Sequence, residues 1–210
     1  MRASARNVHF ALALCSALCS ALGAAGCKMP EMPRLGAVPE LSLRDHRGQA
    51  LTSASLRGQP WIANFMFSHC PDVCPLLTSK LAGVRGRLVA DRVRVRYVSF
   101  SVDPANDSPE VLARFAREHH VEYDDWRFVT GDVEQVKAVI VKGFKQALSE
   151  KAAGTGEAGK PANILHGTHF VLVDGALQIR GFYRSDEDGL LTLARDARRL
   201  VLAKERGTEP

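Results

Sequence analysis

Phe65-Met66-Phe67-Ser68-His69-Cys70-Pro71-Asp72-Val73-Cys74-Pro75 joins an apolar run to a segment with helical periodicity. The run from Trp61 to Phe67 has the length and aromatic content of a buried β-strand. After Pro75, apolar residues recur at the three- and four-residue spacing of one helix face, at Leu76, Leu77, Leu81, Val84 and Leu88. The two cysteines are therefore expected in a turn between a strand and a helix.

The position of the cysteines in this turn favours a reactive or metal-binding role. Pro75 suits the first position of a helix, because its missing N–H would be unpaired there in any case. This places Cys74 at or next to the N-cap, where the helix dipole and the free N–H groups favour a thiolate. Exposed cysteines in such a turn are usually reactive or metal-binding.

The spacing of Cys70 and Cys74 leaves two uses open. A disulfide needs Cβ atoms about 3.5–4.5 Å apart, whereas helix positions four residues apart are separated by about 5–6 Å. A bridge therefore requires the non-helical turn that Pro71 and Pro75 supply. Two thiolates on one soft metal, at about 2.3 Å each, can stand up to about 4 Å apart. These distances allow both dithiol redox chemistry and metal binding. The alternative without any chemistry is a static disulfide or two buried free thiols.

The N-terminus has the layout of an export signal. Arg2 and Arg6 precede an uncharged apolar stretch from Val8 to Ala25. Ala24-Ala25-Gly26-Cys27 is similar to a bacterial lipobox, which predicts cleavage before Cys27 and a lipid on its sulfur. An uncleaved anchor is the alternative, because a run of about 18 residues approaches the minimum for a membrane span. In both cases we expect an extracytoplasmic domain, on the periplasmic side of a bacterial membrane and anchored to it.

Length and composition predict one globular domain behind this leader. The chain has 210 residues, of which 46% are hydrophobic. We assign residues 1–26 to the leader, 27–38 to a linker and 39–205 to the domain. The net charge of +5 is modest, and no run of basic residues is interleaved with aromatics, so nucleic-acid binding is not expected.

Strand and helix patterns alternate along the domain. A hairpin at Leu41–Thr52, with His46 exposed in its turn, precedes the strand that leads to the cysteines. Further strands are expected at 92–102 and 126–130, helices from Pro109 and Gly131, a hairpin at 170–183 and a closing helix. This order favours parallel strands in the centre and antiparallel strands at the end. With the cysteines at a helix N-terminus, it predicts a thioredoxin-like α/β sandwich, a central mixed β-sheet flanked by helices.

Three histidines are candidates for completing a metal site with the cysteine pair. The C-x-x-x-C spacing weakens an oxidoreductase interpretation and strengthens a metal one, since two thiolates and an imidazole suit three-coordinate copper. His166 is the best candidate, because it lies between a Gly-, Ala- and Lys-rich segment and the strand that begins at Phe170. His169 points differently if that strand has already begun. His69 is expected to tune the Cys70 thiolate or to contact a partner, because adjacent strand residues face opposite ways.

Several segments resemble the Sco/SenC family of copper chaperones. Phe67–Pro75 is similar to the family signature, 98–109 to its second motif and Trp126–Gly131 to its third. His166-Gly167-Thr168 aligns with the family's metal-binding histidine, although Gly167 stands where the family usually has serine or threonine. The resemblance extends over residues 41–202, nearly the whole domain.

The resemblance implies a protein that binds one copper ion, Cu(I) or Cu(II), through Cys70, Cys74 and His166. Cys70 and Cys74 would also form a redox disulfide. Family members deliver copper to the binuclear copper centre of cytochrome c oxidase subunit II, or reduce its cysteines before metal insertion. The expected partners are therefore subunit II or another copper acceptor, an upstream copper donor and the membrane.

Two enzymatic alternatives use the same cysteines. A thiol–disulfide reductase acting on exported proteins would need the dithiol but no histidine ligand. A thiol peroxidase is disfavoured, because such enzymes place threonine or serine three residues before the reactive cysteine. Here that residue is Pro71, which cannot donate a hydrogen bond.

Overall fold

The computed structural model describes residues 31–144 and 169–207. A boundary after Met32 divides the chain into two units, and the fold below is that of the second, from Pro33 onward. Its strands are β1 Gly36–Ala37, β2 Ser42–Asp45, β3 Ala50–Thr52, β4 Trp61–Met66, β5 Arg96–Ser101, β6 Trp126–Thr130, β7 His169–Val173 and β8 Gln178–Arg184. Its helices are α1 Ser53–Leu56, α2 Val73–Ala90, α3 Pro109–Glu118, α4 Val133–Ala138, which continues in a π-helical turn at Val139–Gly143, and α5 Glu187–Glu205.

The described strands form one mixed sheet in the order β1-β8-β7-β4-β5-β6-β2-β3. β4, β5 and β6 are parallel neighbours in its centre. The β7–β8 hairpin adds antiparallel strands beside β4, and the β2–β3 hairpin adds them beside β6. The predicted architecture, a mixed sheet with flanking helices and a central parallel part, is confirmed.

The register of the central strands determines where the cysteine turn lies. Met66, the last residue of β4, pairs with Ser101, the last residue of β5. The N–H of Val102 donates to the carbonyl of Met66 at 2.9 Å, so the two strands end together. The turn that follows β4 and the loop that follows β5 therefore leave the same edge of the sheet as neighbours.

Aromatic side chains pack on one face of the central strands. Trp61 and Phe65 of β4, Phe100 of β5 and Phe144 meet there, with ring centroids 5.2–6.3 Å apart. Phe144 joins them from the end of the π-helical turn. These contacts hold β4 rigidly in the sheet, which gives the cysteine turn a fixed starting point.

Helix α2 buries the periodic residues predicted from the sequence, with one exception. Leu77, Leu81, Val84 and Leu88 are buried, whereas the side chain of Leu76 is 54% exposed. Val73, three residues earlier on the helix, is also exposed. The first turn of α2 therefore presents apolar side chains to solvent beside the cysteines.

The folded domain begins earlier than expected. β1 lies within residues 27–38, which the sequence analysis assigned to a linker, and it pairs with β8 through Gly36 and Ile179. Val38 is buried in the core. A two-residue strand carries too little periodicity to be visible in the sequence, so only its pairing with β8 identifies it.

The expectation that His46 is exposed was wrong. The ring is half-buried against the edge of Phe128, and the backbone N–H of Phe128 donates to His46 Nδ1 at 3.2 Å. Burial lowers the pKa of His46. The reason is tertiary, since the β2–β3 hairpin adds to the sheet beside β6 and carries its turn residue with it.

The packing of the π-helical turn predicts a difference between two glycine substitutions. A Cβ on Gly143 would lie 2.5 Å from Cδ of Pro39, whereas a Cβ on Gly86 in α2 would meet open space. We expect Gly143→Ala to lower the free energy of unfolding by about 1–3 kcal/mol, as overpacking does. Gly86→Ala, the matched control, should raise it by about 0.5–1 kcal/mol. Urea denaturation checks both, and equal stability of the two variants would contradict the close packing at Gly143.

Candidate metal centre

The cysteine turn runs from the end of β4 to the start of α2. The N–H of Cys70 donates to the carbonyl of Phe67 at 3.3 Å, which closes the turn. Asp72 is the N-cap residue, and its carbonyl accepts the N–H of Leu76 at 3.3 Å. Cys74 is therefore the second residue of the helix, and Pro75 the third rather than the first as predicted. Proline is accommodated there because N–H groups throughout the first turn lack helical partners.

The structure brings the two predicted cysteines together. Both are free thiols, and the backbone N–H of Cys74 donates to Sγ of Cys70 at 3.3 Å. Cys70 is partly exposed, whereas Cys74 is 5% exposed. The pair therefore has one sulfur that is accessible from solvent and one that is sheltered.

The environment of Cys74 reverses the expectation of a stabilised thiolate. Burial, the largest cause, raises the pKa of Cys74 to about 12 together with interactions with Cys70 and Asp107, although a hydrogen bond from the backbone of Phe67 lowers it. Removing the thiol from water disfavours its charged form more than the helix N-terminus favours it. Cys74 is therefore a neutral thiol at pH 7 until a metal or an oxidant displaces its proton.

A buried carboxylate anchors the turn. Asp107 is fully buried and accepts hydrogen bonds from the N–H of Ser68 at 3.2 Å, the hydroxyl of Ser68 at 2.5 Å and the hydroxyl of Ser101 at 2.6 Å. No basic side chain of residues 31–144 or 169–207 forms a salt bridge with it. A buried carboxylate is tolerated only when its oxygens are hydrogen-bonded, so these contacts hold Ser68 in place.

Ser68 and Asp107 lie within the motifs at Phe67–Pro75 and 98–109, but no role was predicted for either residue. Ser68 follows β4 and Asp107 follows β5, so they come together only because the two parallel strands end at the same edge. Polar residues after successive buried strands were the available signal. Ser68 Oγ also lies 3.0 Å from Nδ1 of His69, whose side chain is exposed.

The third expected ligand, His166, and the expected lipidation site, Cys27, lie outside the described residues. His169 is the first residue of β7, one residue before the predicted start of that strand at Phe170, and it pairs with Arg184 of β8. In the described part of the chain, no group of three or more His, Cys, Asp or Glu side chains is arranged to hold a metal ion. The structure thus brings together two of the three residues expected to bind copper.

Nor do the described residues include a helix long and apolar enough to cross a membrane.

Comparison with known proteins establishes the family. The sequence model of SCO1/SenC matches residues 33–201. The chain belongs to the SCO1/SenC family. The expected relationship to Sco/SenC proteins is thereby confirmed.

Two curated proteins are similar over much of their length. The SCO1 protein homolog of Bacillus subtilis is 32% identical over 137 residues, which are 65% of this chain and 67% of that protein. A Stutzerimonas stutzeri protein described as copper-binding is 28% identical over 155 residues, 73% of this chain and 72% of that protein.

Solved structures of Sco proteins share the fold. A SCO1/SenC family lipoprotein of Bacillus anthracis superposes with a TM-score of 0.68 and 27% identity, over 79% of this chain and 95% of that one. BsSco, a member of the Sco family of cytochrome c oxidase assembly proteins in which a disulfide switch was identified, gives a TM-score of 0.67 and 28% identity, over 81% of this chain and 98% of that one. The thioredoxin-like fold is therefore that of the Sco proteins.

The raised pKa of Cys74 predicts its reactivity. Alkylation by iodoacetamide proceeds through the thiolate, so its rate at Cys74 should rise about tenfold per pH unit from pH 7 to 10, still below the pKa of about 12. Peptide mapping by mass spectrometry measures Cys74 separately from the other cysteines. In urea, where burial is lost, the rate should level off above about pH 9. A plateau below pH 9 in the folded protein would contradict the effect of burial.

Proposed function

We propose that this chain is an extracytoplasmic copper carrier of cytochrome c oxidase assembly rather than a catalyst in the strict sense. The observation that carries the proposal is the hydrogen bond from Cys74 N–H to Cys70 Sγ, which brings two free thiols to one point at a helix N-terminus. The description of the Stutzerimonas relative as a copper-binding protein and the membership of BsSco among cytochrome c oxidase assembly proteins support it.

The chemistry of the two sulfurs fits copper as cargo. Thiolates are soft ligands that select Cu(I), and an added imidazole gives a three-coordinate site that also accepts Cu(II). Cys70 and Cys74 supply the sulfurs, and His166 is proposed as the imidazole ligand. His166 belongs to the motif that aligns with the family's metal-binding histidine.

The exposures of the two cysteines suggest how copper is held and released. The neutral thiol of Cys74 loses its proton when it binds the ion, so loading releases a proton to solvent. The sheltered sulfur keeps the ion from water, whereas Cys70 is accessible to the thiolates of a partner. Both sulfurs must be reduced to bind copper, so oxidation to a disulfide and copper loading exclude each other.

The proposed partners follow from this cargo. Copper would be received from an upstream donor and passed by ligand exchange to the binuclear centre of cytochrome c oxidase subunit II or to another copper acceptor. The leader is assigned to residues 1–26, with a lipid on Cys27 holding the domain at the periplasmic side of the membrane. The lipobox-like sequence supports this anchor, as does the similarity to a SCO1/SenC lipoprotein.

A thiol–disulfide reductase is the second candidate, favoured by the proximity of the two free thiols and by the disulfide switch described for BsSco. In this reaction the thiolate of Cys70 would attack a disulfide of an exported protein, and Cys74 would then displace the partner sulfur. The products are a Cys70–Cys74 disulfide and a reduced partner dithiol. No histidine ligand is needed.

Copper titration tests the ligand set. The reduced domain from Met29 onward is titrated with Cu(I) and Cu(II) against a competing chelator. We expect one ion per chain, loss of tight binding in Cys70→Ala and in Cys74→Ala, and an affinity lower by about tenfold or more in His166→Ala, equivalent to about 1.4 kcal/mol or more. His120→Ala, an exposed histidine at the end of α3, is the control and should leave the affinity unchanged.

The outcomes separate the two candidates. Binding that is indifferent to His166→Ala would move the third ligand to His169 or His69. Absence of specific copper binding, with reduction of a partner disulfide that survives His166→Ala, would replace the carrier by a reductase.

The protonated state of Cys74 predicts the pH dependence of binding. Below the pKa of about 12, each bound ion displaces the Cys74 proton, so the apparent affinity should rise at least about tenfold per pH unit between pH 7.5 and 9. Chelator competition at each pH measures the slope, and release of protons into weak buffer counts them. A flat profile would show that Cys74 does not bind the ion as a thiolate.

A further inference from the structure

Three polar groups lie in line from the core to the surface beside the cysteines. Nδ1 of His69 is 3.0 Å from Oγ of Ser68, and that hydroxyl is 2.5 Å from Oδ1 of the fully buried Asp107. The other oxygen of Asp107 accepts the hydroxyl of Ser101, whose own oxygen accepts the N–H of Asp103 at 3.1 Å. Both carboxylate oxygens of Asp107 therefore act as hydrogen-bond acceptors.

The number of protons available determines the tautomer of His69. A carboxylate only accepts hydrogen bonds, so the single hydroxyl hydrogen of Ser68 is donated to Asp107. Ser68 Oγ can then serve His69 only as an acceptor, which requires a hydrogen on Nδ1. A neutral imidazole carries one N–H, so Nε2 bears the free lone pair. Metal-binding histidines are usually held in this manner, with the other ring nitrogen donating toward a carboxylate or carbonyl.

His69 lies where an arriving ion would meet the protein. As neighbours in a strand, His69 and Cys70 were expected to face opposite ways. However, β4 ends at Met66, so both residues belong to the turn. The His69 side chain is exposed and Cys70 is partly exposed, whereas Cys74 is buried. From solvent, His69 and Cys70 are accessible before Cys74.

We propose that His69 is an exchange ligand for copper, binding the ion through Nε2 together with Cys70 Sγ while it passes between a partner and the Cys70–Cys74 pair. Ser68 and Asp107 are positioning residues, because their hydrogen bonds turn Nδ1 of His69 toward Ser68 and leave Nε2 as the nitrogen that is free to bind the ion. This inference rests on the proposed function and adds a transient ligand to it.

Copper transfer through His69 needs no oxidant or reductant. Copper arrives bound to the partner, and its bonds to the partner's ligands break as bonds form to Nε2 of His69 and to Sγ of Cys70, whose proton leaves to solvent. Cys74 then forms its copper–sulfur bond as its proton leaves to solvent, and the bond to Nε2 breaks. The oxidation state of the ion is unchanged, and release to an acceptor follows the same steps in reverse.

Transfer kinetics test the proposal on the reduced full-length protein. Cu(I)-loaded protein is mixed by stopped flow with excess bathocuproine disulfonate, and uptake is measured in the opposite direction. We expect His69→Ala to slow both directions about tenfold, with the equilibrium affinity changed less than about threefold, because a transient ligand lowers a barrier without stabilising either end state. Ser68→Ala should give an intermediate slowing, and His120→Ala should transfer at the wild-type rate.

A spectroscopic test detects the ligand itself. In a Cys74→Ala, His166→Ala variant, at protein concentrations high enough to load its weakened site with one Cu(II), we expect electron paramagnetic resonance to show nitrogen coupling that disappears when His69→Ala is added.

Each result has a definite meaning. Unchanged transfer rates in His69→Ala, or nitrogen coupling that persists without His69, would overturn the exchange ligand while leaving the copper carrier intact. Loss of equilibrium binding in His69→Ala would also overturn it, since His69 would then be a resident ligand. Failure of the wild-type protein to bind copper would instead overturn the proposed function.

Discussion

The arrangement of the site depends on the hydrogen bonds that the carboxylate of Asp107 accepts. This carboxylate is fully buried and accepts hydrogen bonds from Ser68 after β4 and from Ser101 at the end of β5. A charge in the protein interior is costly unless its oxygens are satisfied, so the two segments cannot separate without leaving that cost uncompensated. The turn that bears Cys70 is thereby attached to the rigid centre of the sheet two residues before the first sulfur.

This attachment gives the two cysteines different properties. Cys70 remains partly exposed in the turn, while Cys74 is turned inward on the first turn of α2. Because desolvation outweighs the helix N-terminus, the pKa of Cys74 is raised and its thiol stays neutral. A sheltered neutral thiol beside an accessible one fits the proposed role of copper carrier, which requires that a soft metal ion be held and also released. The apolar residues Val73 and Leu76 on the same helix turn are exposed to solvent.

Much of the fold followed from local patterns. The buried strand β4, the periodic apolar face of α2, the helix that begins at Pro109 and the terminal hairpin were all predicted, because each depends on residues close together in the chain. The short strand β1 and the half-buried ring of His46 were missed. Both depend on a pairing partner far away in sequence, β8 in one case and Phe128 in the other, and no local pattern encodes such a partner.

The same division applies to the site. The amino-acid sequence alone indicated thiol or metal chemistry. It places two cysteines, each followed by a proline, between a strand and a helix, and the surrounding motifs resemble those of the family to which the chain belongs. The local pattern predicts that Cys70 and Cys74 lie between the end of a strand and the start of a helix. Only the tertiary structure decided that Cys74 is buried, that Ser68 meets Asp107 and that a line of hydrogen bonds reaches His69. Burial and these contacts arise when β4 and β5 pair in parallel and end at one edge, so their effect on protonation and access exists only in the folded domain.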